Sequence, residues 1–299
     1  MHLIFAYSFL FAYLGLMIGL SFQPVILGDL LIYEKIYTSY AFGQVNLTDI
    51  KNDPAYYLYI LLMTQFLGFQ TYLLAHKILF YASLSAAIVF SKKLNLYYLV
   101  AIPLLMLYLD PYLNGYSEFV LRQGTGFIIL FLFGFYKMNG RTGYVASIIA
   151  SFFHASFILA LLILFITKWL TSIKFLLYLA FLSAIIYTTH FPIYISFLTS
   201  DFAPRALSVA GDNYTIGFKP LFFFASFGVY VLLFFKKYRF ILRQNDSLYR
   251  LWAFYTLGIF ISVLISGMPY HDRMFSFFWV CQYFIIYDVL TRLRIYVSL

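Results

Sequence analysis

Charge is the scarcest property of this chain. Lys, Arg, Asp and Glu together make up 10% of its 299 residues, where soluble domains carry about 25%. Acidic groups are scarcer still, 11 Asp and Glu against 20 Lys and Arg. A single cysteine, Cys281, excludes an intrachain disulfide, and its place inside an apolar run gives no redox compartment. The sequence holds no GxxxxGK[ST] phosphate loop, no paired Cys/His metal spacing and no HExxH. It also lacks an Asp-x-Asp pair that could hold a metal–sugar nucleotide. These absences argue against cytosolic nucleotide-sugar chemistry and predict a site without metal or cofactor.

What fills the chain is apolar. Hydrophobic residues reach 64% and mean hydropathy is +0.88, more apolar surface than a soluble fold can hide. The apolar segments are long runs rather than alternating ten-residue strands, which selects helices over a β-barrel. The pattern predicts an all-α polytopic membrane protein, a single transmembrane domain over residues 1–299 with roughly 9–11 transmembrane helices. The expected helices cover roughly 3–27, 55–69, 70–90, 96–112, 118–136, 143–167, 172–198, 220–235, 249–267 and 274–291. The first run lacks a basic n-region and a small-residue cleavage site, and reads as a retained helix rather than a signal peptide.

Net charge is +9, but the cations sit in short loops between apolar runs, which is a positive-inside pattern and not a nucleic-acid surface. Lys92-Lys93, Lys137 with Arg141, Lys168 with Lys174, Lys236 to Arg250, and Arg292 with Arg294 mark the expected cytoplasmic side. Loops 28–54, 110–117, 200–219 and 268–273 then face outward. Counting crossings between these marks fails twice, around 55–91 and around 143–199. Short, broken or re-entrant segments resolve both conflicts: 55–69 is too short to span about 30 Å, and Ser151–Ser156 or His190-Phe191-Pro192 would break the later run. Irregular backbone at membrane depth is tolerated only inside protein or beside a wet cavity. The 37 Phe and 29 Tyr fit an interfacial aromatic belt, and equally fit rings stacked on sugars.

Several polar residues stand out against this background. Arg122, in EFVLRQGTGF, cannot discharge, and placing it near hydrocarbon costs about 2.5–3.5 kcal/mol at the bilayer centre, less at an interface. It either snorkels to the outer interface or binds an anion, since its planar fork suits phosphate or carboxylate. Glu118 lies one turn earlier, Gln123 follows, and Gly124 and Gly126 thin the helix for a close approach. His154 lies in SIIASFFHASFILALL among Ser151, Ala155 and Ser156, as a neutral interhelical residue or as a functional group. His271, Asp272 and Arg273 form a polar knot ahead of an aromatic run; Asp272 could cap that helix, whereas Arg273 at a helix N-terminus suits a bound anion. Arg205 is a third outward arginine. In the first outward loop Asp29, Tyr33, Ile36 and Tyr40 recur at helical spacing, predicting an amphipathic helix at the membrane surface.

Residues 118–161 resemble the EpsG-like branch of the Wzy polysaccharide polymerases. The resemblance rests on Arg122-Gln123 opening one helix and Phe153-His154-Ala155-Ser156 in the next. Asp29 followed by Tyr33 also fits, as does Arg273 before an aromatic helix. Asp53-Pro54-Ala55-Tyr56-Tyr57 stands where the family more often has Glu and Gly. The resemblance implies a multi-pass hexosyltransferase-type polymerase of the bacterial inner membrane, compatible with a GT-C-like architecture. Its substrate would be an undecaprenyl-diphosphate-linked oligosaccharide, with a chain-length regulator protein as partner. Block transfer of the growing chain, on the extracytoplasmic side, would build O-antigen, capsule or exopolysaccharide. Arg122, Gln123, Arg205, Arg273, His271 and Tyr33 would then bind substrate, and Asp29, Glu118, His154 and Asp272 are the candidates for catalysis. A diphosphate leaving group needs charge stabilisation, which arginines supply without metal, and the acceptor hydroxyl needs one base. A single displacement inverts the anomeric centre. Two other readings remain: a transporter or flippase of lipid-linked saccharide, and a non-catalytic scaffold that leaves the arginines unexplained.

Overall fold

The computed structural model describes residues 29–45, 53–90, 120–133, 141–170, 172–189, 220–266, 278–282 and 284–286. The expected segments 3–27 and 96–112, the loop 200–219 and the break at 190–192 lie outside the described residues. All regular structure among the described residues is helical. The chain divides into two compact units, Met1–Leu161 and Leu162–Leu299.

The first unit opens with α1 (Asp29–Ala41), whose buried stripe Leu30, Tyr33, Tyr37 and Tyr40 keeps helical spacing. It ends at Gly43, where φ is +75°. Gly43 N–H bonds back to Tyr40 and Gln44 N–H to Ser39, a Schellman closure whose left-handed residue favours glycine. α2 (Pro54–Met63) is short, as expected, and α3 (Phe69–Phe90) carries buried His76 and Lys77. The expected 143–167 run is two helices, α5 (Arg141–Phe153) and α6 (Ser156–Ile166), broken at His154-Ala155. α4 (Leu121–Phe133) packs on both α3 and α5.

Packing in this unit reverses the usual size rule. α5 buries Gly143, Ala146, Ser147 and Ala150 while exposing Val145, Ile148, Ile149 and Phe152. Small residues at three- and four-residue spacing let helix backbones approach closely, the device used where lipid, not water, surrounds the helices. Gly126 of α4 belongs to the same design: a Cβ there would overlap the Phe157 ring. Tyr56 and Tyr57, which fit a belt by sequence, are buried core residues. Tyr37 stacks on Tyr72 at 5.1 Å, and its hydroxyl donates to the Leu67 carbonyl, so this ring also has a partner for its polar end.

In the second unit, α7 (Ile173–Thr188) packs on α10 (Asp246–Leu264). α8 (Pro220–Tyr230) runs through a 3₁₀ turn (Val231–Phe234) into α9 (Lys236–Gln244). The stretch expected as a basic loop is thus helical; Tyr238 and Leu242, one turn apart, are buried, and Trp252 donates to the Tyr238 hydroxyl at 2.9 Å. Asn245 caps α10 by accepting from Leu248 N–H. Among the described residues no single helix is long and apolar enough to cross a membrane; one bent pair, Tyr238–Gln244 with Leu248–Leu264, reaches that length together across a 107° turn.

Gly126→Ala should lower the thermal stability of the detergent-solubilised protein, by about 1–3 kcal/mol as overpacking does. Adding Phe157→Leu should recover part of it, because the two positions share one contact. Equal stability of Gly126→Ala and the parent would contradict the close approach.

Candidate functional site

Arg122 meets its countercharge from far along the chain. Its Nη1 donates to Asp53 Oδ2 at 2.6 Å and its Nε to the Tyr33 hydroxyl at 3.1 Å. The Asp53 side chain is 5% exposed and that of Arg122 29%. A guanidinium has five N–H donors; these two bonds leave three without a partner among the described residues.

Asp53 shows how strongly the pair is favoured. It directly precedes Pro54 at the head of α2, an arrangement suited to a side-chain cap. Its carbonyl accepts from the N–H groups of Tyr56 and Tyr57, yet its carboxylate makes no cap. The carboxylate takes Arg122 and the Ala155 N–H instead. A lost cap costs roughly 1 kcal/mol, whereas a hydrogen bond to a charged group contributes about 1.5–3, so the ion pair wins. Burial pushes the Asp53 carboxyl above the ordinary carboxylate range, and Arg122 and the Ala155 N–H oppose that push.

The helix break supplies the other half of the site. Where α5 stops, His154 N–H still bonds back to Ala150, and the His154 carbonyl accepts from Phe157 N–H to start α6. The first N–H groups of a helix lack internal partners. Here Ala155 N–H goes to Asp53 and Ser156 N–H to His154 Nδ1 at 3.2 Å. A backbone N–H can only donate, so Nδ1 is an acceptor and the neutral ring carries its proton on Nε2. The Ser156 hydroxyl, 2.8 Å from Nδ1, then donates to it, and accepts from Gln123 Nε2 at 3.0 Å. Gln123 Oε1 is buried without a partner among the described residues.

Of the residues singled out by sequence, Arg122, Gln123, His154 and Tyr33 therefore gather around α4 and the break. Asp29 starts α1, and its side chain lies outside the described set. Glu118, Arg205, His271, Asp272 and Arg273 also lie outside the described residues. Asp53 and Ser156 had no role assigned from sequence. An arginine near hydrocarbon demands a carboxylate, and Asp53 was detectable as one of few acids at the edge of an apolar run.

These features define an all-helical protein with a polar, ion-paired site set among apolar helices. The EpsG family pattern matches residues 4–298, and the chain belongs to the EpsG family. That family is associated with polysaccharide biosynthesis and with polymerase or glycosyltransferase activity. No curated protein and no solved structure matches the chain.

Asp53→Ala alone should destabilise the protein by about 3 kcal/mol, because it leaves a half-buried charge alone. Asp53→Leu combined with Arg122→Met should recover most of that loss in thermal unfolding; a double variant less stable than Asp53→Ala would contradict the pairing. In ¹⁵N-histidine spectra at neutral pH, the signals missing from a His154→Gln variant should be a pyridine-like Nδ1 and a protonated Nε2. The opposite tautomer would refute the Ser156 arrangement.

Proposed function

We propose that this EpsG-family chain is a membrane glycosyltransferase that polymerises undecaprenyl-diphosphate-linked oligosaccharide repeat units on the extracytoplasmic side. The growing chain is transferred as a block to a new lipid-linked unit, without a metal. One observation carries the reading: Arg122 is anchored by Asp53 at Nη1 and by Tyr33 at Nε, and among the described residues three of its N–H donors have no partner, which suits a ligand. A membrane setting is supported by apolar faces turned outward on α5, α6 and α7, where Phe152, Leu162 and Phe181 are exposed, unlike the surface of a soluble domain.

In the proposed reaction the acceptor hydroxyl oxygen attacks the anomeric carbon of the growing chain. The carbon–oxygen bond to the diphosphate breaks, and the electron pair leaves on the diphosphate. Arg122 receives that charge where it develops, the usual largest source of catalysis for such groups. A guanidinium already held in place needs no reorganisation at that moment. His154, protonated on Nε2, serves as a hydrogen-bond donor to substrate oxygen rather than as the base. The hydroxyl proton goes to a carboxylate, for which Asp29, Glu118 and Asp272 remain the candidates. Asp53, held by Arg122 and Ala155 N–H, orients the fork and does not abstract the proton. Gln123 and Tyr33 complete the proposed substrate contacts of the first unit. One displacement inverts the anomeric configuration.

Arg122→Ala should abolish long chains while single capped repeats persist, and Arg122→Lys should fall well below the parent because a point charge lacks the bidentate fork. Normal chain lengths from Arg122→Ala at normal protein levels would sink the assignment. Purified protein should elongate lipid-linked repeats in vitro; movement of the lipid across vesicles without elongation would favour a flippase.

A further inference from the structure

The strongest feature outside this site is the α9 surface of the second unit. We propose that α9 lies flat on the bilayer surface and docks on anionic phospholipid headgroups.

On α9, Tyr238 and Leu242 face inward and the opposite face is exposed. Phe240 sits at the centre of that face with 61% exposure. Lys236 lies one turn before it and Arg243 one turn after, both exposed, with half-buried Arg239 alongside. The stretch 236–245 contains no acidic residue. Lys236, Arg239 and Arg243 form no ion pair among the described residues, and the nearby Asp246 is taken by Arg250 at 3.1 Å. Water alone does not favour an exposed phenylalanine at the centre of such a face, and hydrocarbon does not accept unpaired cations. The headgroup layer accepts both, because ring and stems enter the acyl boundary while the charges meet phosphate.

The chain leading into α9 supports a lipid surface over an acidic protein. Upstream, Phe224, Val231, Phe234 and Phe235 are all exposed, and the stretch 221–235 carries no charge at all. Charge begins at Lys236, immediately after the extended residue Phe235. Downstream, the chain turns by 107° between Tyr238–Gln244 and Leu248–Leu264. An uncharged apolar surface passing into a cationic, aromatic one within a single turn follows the order of a bilayer from core to headgroups. An acidic protein partner would explain the cations but not that continuity.

This inference rests on the membrane setting of the proposed function and not on glycosyl transfer, so its test uses no activity. The full chain, in a Cys281→Ser background, carries Phe240→Cys bearing a nitroxide. It is reconstituted into phosphatidylcholine vesicles and into equimolar phosphatidylcholine–phosphatidylglycerol vesicles; failure to reconstitute at all would count against the membrane setting itself. In the anionic vesicles the label should be more accessible to oxygen than to a water-soluble nickel chelate, and less so in phosphatidylcholine alone. Adding Lys236→Gln and Arg243→Gln should shift the docked-to-free ratio about thirty-fold towards water, given about 1 kcal/mol per surface cation. Those variants must match the parent in yield and monodispersity, since both positions are exposed. Equal accessibility in the two lipids, or no response to the paired substitution, would overturn the proposal. So would a label already immobilised in detergent without lipid, which would mean a protein contact instead.

Discussion

The contact between Arg122 and Asp53 is the constraint on which the first unit is arranged. A guanidinium in an apolar helix cannot shed its charge, so its countercharge must be brought to it. The carboxylate that comes stands at the head of α2, and it gives up its own helix cap to arrive. The same carboxylate accepts the Ala155 N–H at the head of α6, where the helix dipole favours a negative group. One carboxylate thus ties α2, α4 and the α5–α6 break together, and the Tyr33 hydroxyl adds α1. Four segments meet at a point that none of them would reach for its own local reasons.

Helix association around that point relies on fit more than on hiding apolar area from water. α5 turns its small residues inward and its large ones outward, which a water-driven core would not do. Gly126 fits the same plan by admitting the Phe157 ring. The hydroxyls along these helices bond to their own backbones, Ser147 to Gly143 and Thr125 to Leu121, so buried polar atoms cost little. Among the described residues, polar contacts between helices include those of Asp53, Arg122, Gln123 and Ser156.

Much of this frame was legible in the sequence. The short 55–69 helix, the amphipathic α1 and a break between Ser151 and Ser156 all follow from length, spacing and small polar residues. Arg122 and His154 stood out because charged and titratable groups are costly in apolar runs. Asp53 entered only as part of the Asp53-Pro54-Ala55-Tyr56-Tyr57 resemblance, and only tertiary contact shows that its side chain is the countercharge of Arg122. Ser156 was likewise named in the Phe153-His154-Ala155-Ser156 motif, but its link to Gln123 appears only in the structure. The basic stretch 236–244 read as a loop because charge density masked the Tyr238–Leu242 pair that buries one face of α9.

The ion pair also bears on what the site can select. A lone arginine would attract any anion; one already holding a carboxylate presents a nearly neutral pair, so a singly charged ligand gains little net Coulomb energy there. Under the proposed function, a diphosphate offers several acceptor oxygens for the Arg122 N–H donors that have no partner among the described residues. In the proposed reaction the preference sharpens as the bond breaks, because the leaving diphosphate gains negative charge while the anchored guanidinium stays where it was.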